Sequence, residues 1–244
     1  MRDLNILISG CSFTGQGFDK IDSVTWVQPL TKSHNITNLG VPSVSNEYIA
    51  DSIINYLLDN DSTDLVLVMW SGLQRQDFII DPLIEDDYSM HRLTMYDGIR
   101  YSPGGADLDR PSSATAMAKK EMFKIGTEQG FAWRGLLQII KLEHFLKARG
   151  MPYLFMSYVN YWNDQDIVAN SNVGVYKYPS LTKLANQIDF DHWIFSNAAK
   201  DGYYELAKEL NSFFPDNFHP AHKAIDAWAS IVETRIRDIQ INLN

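Results

Sequence analysis

Short apolar runs closed by turn residues alternate along this chain with longer stretches in which apolar residues recur every three or four positions. The first run, Leu4-Asn5-Ile6-Leu7-Ile8-Ser9, reads as a buried strand and leads into a turn of small residues: Gly10, Ser12, Thr14, Gly15 and Gly17. Ile36 to Leu39 is a second, shorter strand ending at Gly40. Ser45 carries the start signal of a helix of about 14 residues. Tyr48, Ile49, Ile53, Tyr56 and Leu57 give that helix one apolar side, Asp51 and Asn55 a polar one, and Asn60-Asp61-Ser62 stops it. Asp64 to Trp70 is a continuous apolar run, the pattern of a central parallel strand covered on both faces.

The second half continues the alternation. Phe131 to Arg149 predicts a helix, with Leu136, Leu137, Ile140, Leu142 and Phe145 apolar and Gly150 as its stop. Met151 to Val159 is a fourth strand, and Asp191 to Phe195 a weaker fifth. Tyr203 to Phe213 reads as a helix, and Pro220 opens a last helix running to about Ile239. Residues 81–130 carry Pro82, Pro103, Gly104, Gly105 and Pro111. They are expected to be an insertion with little regular structure at first, then a helix near 114–125. Such an insertion is either a long surface loop or a cap that shapes a substrate site. Strands alternating with helices predict one α/β domain over residues 1–244, with a parallel sheet of about five strands and helices on both faces. Sites in such sheets form at the carboxyl ends of strands. Ser12, Gly40 and Trp70 follow the first three strands and therefore fall on one edge.

The composition narrows the function classes. The 244 residues are 45% hydrophobic, enough for a sizeable core. Twenty-one basic against thirty acidic side chains give a net charge of −9. That charge disfavours nucleic acid and an anionic membrane surface as partners. The single cysteine, Cys11, excludes an internal disulfide framework. No stretch approaches the roughly 20 apolar residues of a membrane span. Met1-Arg2-Asp3 leads into a strand and not into a signal peptide.

Chemistry gathers at the two ends of the chain. Gly10-Cys11-Ser12-Phe13 puts a serine on the turn after the first strand, and Asp216-Asn217-Phe218-His219-Pro220 offers an acid and a histidine three residues apart. A serine hydroxyl is a weak nucleophile until a base takes its proton, and the base needs an acid to hold its tautomer. Each residue also has a plainer role. Ser12 can tighten a turn, Asp216 can cap the final helix, and Gly40 can be a strand-ending glycine. Asn46 is either a first-turn helix residue or a substrate contact. Arg75 either pairs with a carboxylate such as Asp77 or points into the site. Cys11 should face the opposite way from Ser12, into the core. Asp216, His219 and His222 have weak spacing for a metal, and neither metal nor cofactor is expected. The aromatics Tyr153, Phe155, Tyr158, Tyr161 and Trp162 either line a cleft or belong to the core.

These segments resemble the SGNH hydrolases, also called the GDSL esterase/lipase superfamily. The resemblance implies a three-layer α/β/α sandwich with a flavodoxin-like sheet. It implies Ser12 as nucleophile, His219 as general base and Asp216 as its orienting acid. Asn38-Leu39-Gly40 matches the second sequence block of the family, whose glycine N–H binds the oxyanion, and Asp216-x-x-His219-Pro220 matches the last in full. Ser12 lacks the usual preceding aspartate. The third block departs more: Trp70-Ser71-Gly72-Leu73-Gln74-Arg75 stands where the family has Gly-x-Asn-Asp. Either Ser71, Gln74 or Arg75 replaces the missing asparagine donor, or Asn46 reaches in, or the oxyanion hole is weakened. The implied activity is an esterase removing an acyl group, acetyl from a carbohydrate being one case, with a small-molecule or glycan ester as substrate. The alternatives are a carbohydrate-binding or structural module of the same fold and an acyltransferase using the same triad. The pattern is also similar to divergent SGNH-like proteins of phages and surface-polysaccharide loci, which implies a cytoplasmic or virion-associated protein.

Overall fold

The computed structural model describes residues 3–15, 24–80, 94–96, 99–102, 124, 126–165, 173–215 and 219–242. The strands are β1 (Asn5–Gly10), β2 (Asn35–Asn38), β3 (Leu65–Trp70), β4 (Phe78–Ile80), β5 (Thr94–Tyr96), β6 (Ile99–Ser102), β7 (Tyr153–Ser157) and β8 (Trp193–Ile194). The α-helices are α1 (Val27–Leu30), α2 (Asn46–Asp59), α3 (Glu128–Ala148), α4 (Pro179–Ala185), α5 (Tyr203–Glu209) and α6 (His222–Asn242).

β3 is buried at every position, as its unbroken apolar run requires, and lies at the centre of a five-stranded parallel sheet ordered β2-β1-β3-β7-β8. Helix α3 packs against both α2 and α4, with α2 also on β1 and β3. Helices α1, α5 and α6 form a second group, with α6 on β8. The architecture is the expected three-layer α/β/α fold. Its strand order reverses between β1 and β3, since the chain goes from β1 outward to β2 and then returns to the other side. Open α/β sheets bind ligands in the crevice at that switch point.

Register brings the strand ends level there. Gly10 pairs with Met69, and Trp70 with Ser157. On the other side Val41 N–H donates to the Gly10 carbonyl at 3.0 Å.

Ser45 caps α2 as predicted, accepting from the Glu47 N–H at 3.1 Å. Helix α3 starts earlier than its apolar pattern indicates, at Glu128, because the Thr127 side chain accepts from the Gly130 N–H at 3.0 Å. Helix α5 stops at Glu209 instead of running to Phe213. Asn211 takes a left-handed φ of 48°, Ser212 N–H returns to the Ala207 carbonyl and Asn211 N–H to that of Lys208, a Schellman closure. Helix α6 begins at His222, two residues after Pro220, which instead bridges Phe213.

The 81–130 segment also differs from expectation. It contributes β5 and β6 to a three-stranded antiparallel sheet ordered β4-β6-β5. Most of the helix expected near 114–125 lies outside the described residues, as does Asp216. Among the described residues, no helix is long and apolar enough to cross a membrane.

Candidate active site

Ser12 sits on a turn that the backbone closes by itself: the Thr14 and Gly15 N–H groups both donate to the Cys11 carbonyl, at 2.9 and 2.8 Å. The Ser12 side chain is half-buried, while Cys11 beside it is fully buried. Among the described residues the Ser12 hydroxyl makes no hydrogen bond, so the turn does not depend on it.

Phe13 links the two ends of the chain. Its ring lies 5.2 Å from the His219 imidazole, 4.9 Å from Tyr158 and 6.1 Å from Tyr203, centroid to centroid. Tyr203 in turn stacks on Trp228 of α6 at 5.3 Å. His219 is held from behind: the Phe214 N–H donates to its carbonyl and the Ala221 N–H donates to that of Ser212, both at 2.9 Å. Ser212 Oγ then accepts from the Ala224 N–H at 3.2 Å, supporting the first turn of α6. The histidine is thus clamped between the end of α5 and the start of α6 and faces the residue after Ser12. His222 is exposed, its ring 5.7 Å from Phe214.

The β2 side of the turn is tightly closed. Asn38 Nδ2 donates to the Thr14 carbonyl at 2.9 Å, and its Oδ1 accepts from the Gly40 N–H at 2.9 Å. Gly40, expected as an oxyanion donor, therefore has its proton on Asn38 in this structure. A Cβ on Gly40 would stand 2.9 Å from the Gly15 nitrogen, so the two loops approach too closely for a side chain there.

The β3 side is built differently. Asn46, the first residue of α2, is only 1% exposed. Its Oδ1 accepts from the Ser71 N–H at 2.8 Å, which fixes the orientation of the amide because a backbone N–H can only donate. Its Nδ2 is buried and, among the described residues, has no hydrogen-bond partner. Ser71 Oγ accepts from Arg75 Nη1 at 2.9 Å, and the guanidinium lies 5.8 Å from the Tyr158 ring centre. Arg75 thus points toward the strand ends and not out to a surface carboxylate. Asp77 instead takes both the backbone N–H and the hydroxyl of Ser45 on Oδ2, at 2.8 and 2.7 Å, locking the α2 N-terminus to this loop. Gln74 is buried with its Oε1 unpartnered among the described residues. Ser71 is thus held between Asn46 and Arg75, while Asn46 Nδ2 is left without a partner among the described residues.

Tyr153, Phe155, Tyr158, Tyr161 and Trp162 are all buried. Burial pushes the Tyr161 phenol well above its ordinary pKa, so it stays protonated. Of this group only Tyr158 reaches the site, through Phe13 and Arg75. Among the described residues no group of three or more His, Cys, Asp or Glu side chains could hold a metal. Sequence reasoning missed how Asn46 is held. Its anchor, Ser71, is 25 positions away and is brought over only by the β1–β3 register and the docking of α2.

Comparison with solved structures places this architecture. A psychrotrophic esterase, EstA, from Pseudoalteromonas sp. superposes with a TM-score of 0.52 at 11% identity, over 98% of this chain and 99% of that one. A Lactobacillus plantarum protein superposes with a TM-score of 0.50 at 12% identity, over 98% of both chains. A GDSL-like lipase from Bacteroides thetaiotaomicron is 10% identical, covering 96% of this chain and 88% of that one, with a TM-score of 0.45. At such identities the likeness is one of fold. No curated protein matches the chain in sequence. The chain shares the fold of the EstA esterase, and the match of a family model over residues 22–242 makes it a member of the family of unknown function DUF6071.

Proposed function

We propose that the protein is a serine esterase working through Ser12, His219 and Asp216, with Asn46 as a side-chain oxyanion donor. The observation that carries this reading is the Phe13–His219 ring contact at 5.2 Å. It brings a histidine from the far end of the chain to the turn that holds an unengaged serine, at the switch point of the sheet.

In this reading Ser12 Oγ attacks the ester carbonyl while His219 accepts its proton. The new C–O bond puts negative charge on the former carbonyl oxygen. The Ser12 backbone N–H and Asn46 Nδ2 meet that charge. Asn46 suits the task because its amide is fixed in advance by Ser71 and its donor is desolvated, so little reorganisation is needed as charge develops. It thereby takes the place of the asparagine that the segment after β3 lacks. The ester bond then breaks, His219 gives its proton to the leaving alkoxide, and water, activated by the same imidazole, releases the acyl group. Acetyl is the acyl group proposed, and the polar surroundings of Arg75 and Asn46 favour a polyhydroxylated alcohol such as a carbohydrate. The test is hydrolysis of p-nitrophenyl acetate by the wild type and by Ser12→Ala. Turnover by the wild type alone supports the reading, and equal turnover by both proteins overturns it.

A further inference from the structure

A cleft of about 630 Å³ opens beside the proposed site, between the start of α2, the segment Arg75 to Asp77 and the first turns of α3. Its volume lies within the range of small-molecule sites. Helix α3 comes close enough to form its wall because Gly135 lies against the Leu73 carbonyl, where any Cβ would overlap. The cleft joins the catalytic corner through two residues. Arg75 lines it and also bonds Ser71, and Ser45 lines it next to Asn46.

The lining is specific in kind. Trp133 is 42% exposed and stands on the cleft wall, one of two large hydrophobic side chains exposed among the described residues. Around it are two carboxylates, Glu47 and Asp77, and two guanidiniums, Arg75 and Arg134. The opposite charges balance, so the cleft offers no net field for an anionic or cationic ligand. Gln138 also lines it, with an amide able both to donate and to accept. One flat apolar face ringed by neutralised donors and acceptors suits a sugar ring, whose C–H face is apolar and whose rim is hydroxyls. Among the described residues a long acyl chain would find only Trp133 and Leu137 as apolar wall.

We propose that this cleft is an uncharged-saccharide subsite in which Trp133 stacks on a sugar ring, holding the alcohol portion of the ester. The assignment rests on the esterase reading for its role in turnover, but binding can be read without it. The experiment uses the full chain, with methyl 6-O-acetylglucoside, whose other hydroxyls are free, and p-nitrophenyl acetate as substrates, and calorimetric titration of methyl 6-O-acetylglucoside into Ser12→Ala. Trp133→Ala is expected to lower the ratio of kcat/KM for methyl 6-O-acetylglucoside over p-nitrophenyl acetate by about tenfold, through KM, with Trp133→Phe restoring most of it. It is also expected to weaken methyl 6-O-acetylglucoside binding to Ser12→Ala by a similar factor. Hydrolysis of both esters with a ratio unmoved by Trp133→Ala overturns the subsite and leaves the esterase standing. Trp133-dependent binding without hydrolysis supports the subsite and overturns the esterase. A Trp133-dependent preference for p-nitrophenyl dodecanoate over methyl 6-O-acetylglucoside overturns the saccharide assignment in favour of an acyl chain.

Discussion

The two flanks of Ser12 are made of the same kinds of group and are used in opposite ways. On the β2 flank Asn38 engages both ends of its amide, to Thr14 and Gly40, and two glycine backbones pack against each other. On the β3 flank Asn46 engages its oxygen with Ser71, and among the described residues its buried N–H₂ has no partner. In the proposed reading the β2 flank holds the Ser12 turn in shape, and the β3 flank faces the ligand.

Substitutions on each side break or sharpen that contrast. Ser12→Ala and His219→Ala should have the largest effect, lowering ester turnover by at least about 10³-fold. Ser12→Ala should leave the thermal midpoint essentially unmoved, since the backbone closes the Ser12 turn. Asn46→Asp comes next. It keeps an oxygen for the Ser71 N–H but replaces the free donor by an acceptor, so kcat should fall roughly 10²- to 10³-fold with KM little changed. Steady-state kinetics on p-nitrophenyl acetate checks it, and an undiminished kcat would remove Asn46 from the oxyanion hole.

Asn38→Ala should do the reverse of Asn46→Asp. It frees the Gly40 N–H and the Thr14 carbonyl, and the urea midpoint should report a loss of about 1–3 kcal/mol. The kcat of the folded variant should stay within about threefold, because this flank stabilises the turn without touching charge. A fall in kcat matching that of Asn46→Asp would erase the distinction between the flanks and return Gly40 to the oxyanion hole.

Glu47→Gln should give the smallest effect, visible only against pH. The folded pKa of Glu47 is raised by burial and by Asp51 and Asp77. The folded form then binds the proton more tightly than the unfolded one, so the favourable contribution is full below the unfolded pKa and is lost as pH rises through the folded pKa. Relative to the wild type, Glu47→Gln should gain thermal stability between pH 4 and pH 7. A difference in midpoint that does not change over that range would contradict the assignment.

Much of this organisation is legible in the sequence because local signals and tertiary needs agree. The apolar run of β3 could only be a central strand, and Ser45 both caps α2 and docks it through Asp77. The hairpin of β5 and β6 had a signal that the long-insertion reading passed over. Tyr96 pairs with Ile99, and the two residues between them are Asp97-Gly98, a dipeptide favoured in two-residue connections. The early start of α3 was likewise marked by Thr127. The asymmetry of the two flanks was not legible. Asn38 and Asn46 each stand at the end of an element, and nothing local says that one amide closes on its own loop while the other meets Ser71 across the sheet.

The most direct measurement of the central claim is covalent labelling by a fluorophosphonate, followed by mass mapping of the modified peptide. The account predicts one adduct, on Ser12, lost in Ser12→Ala and strongly slowed in His219→Ala. No adduct on the folded wild type, or an adduct on Cys11 or another residue with Ser12 unmodified, would contradict it.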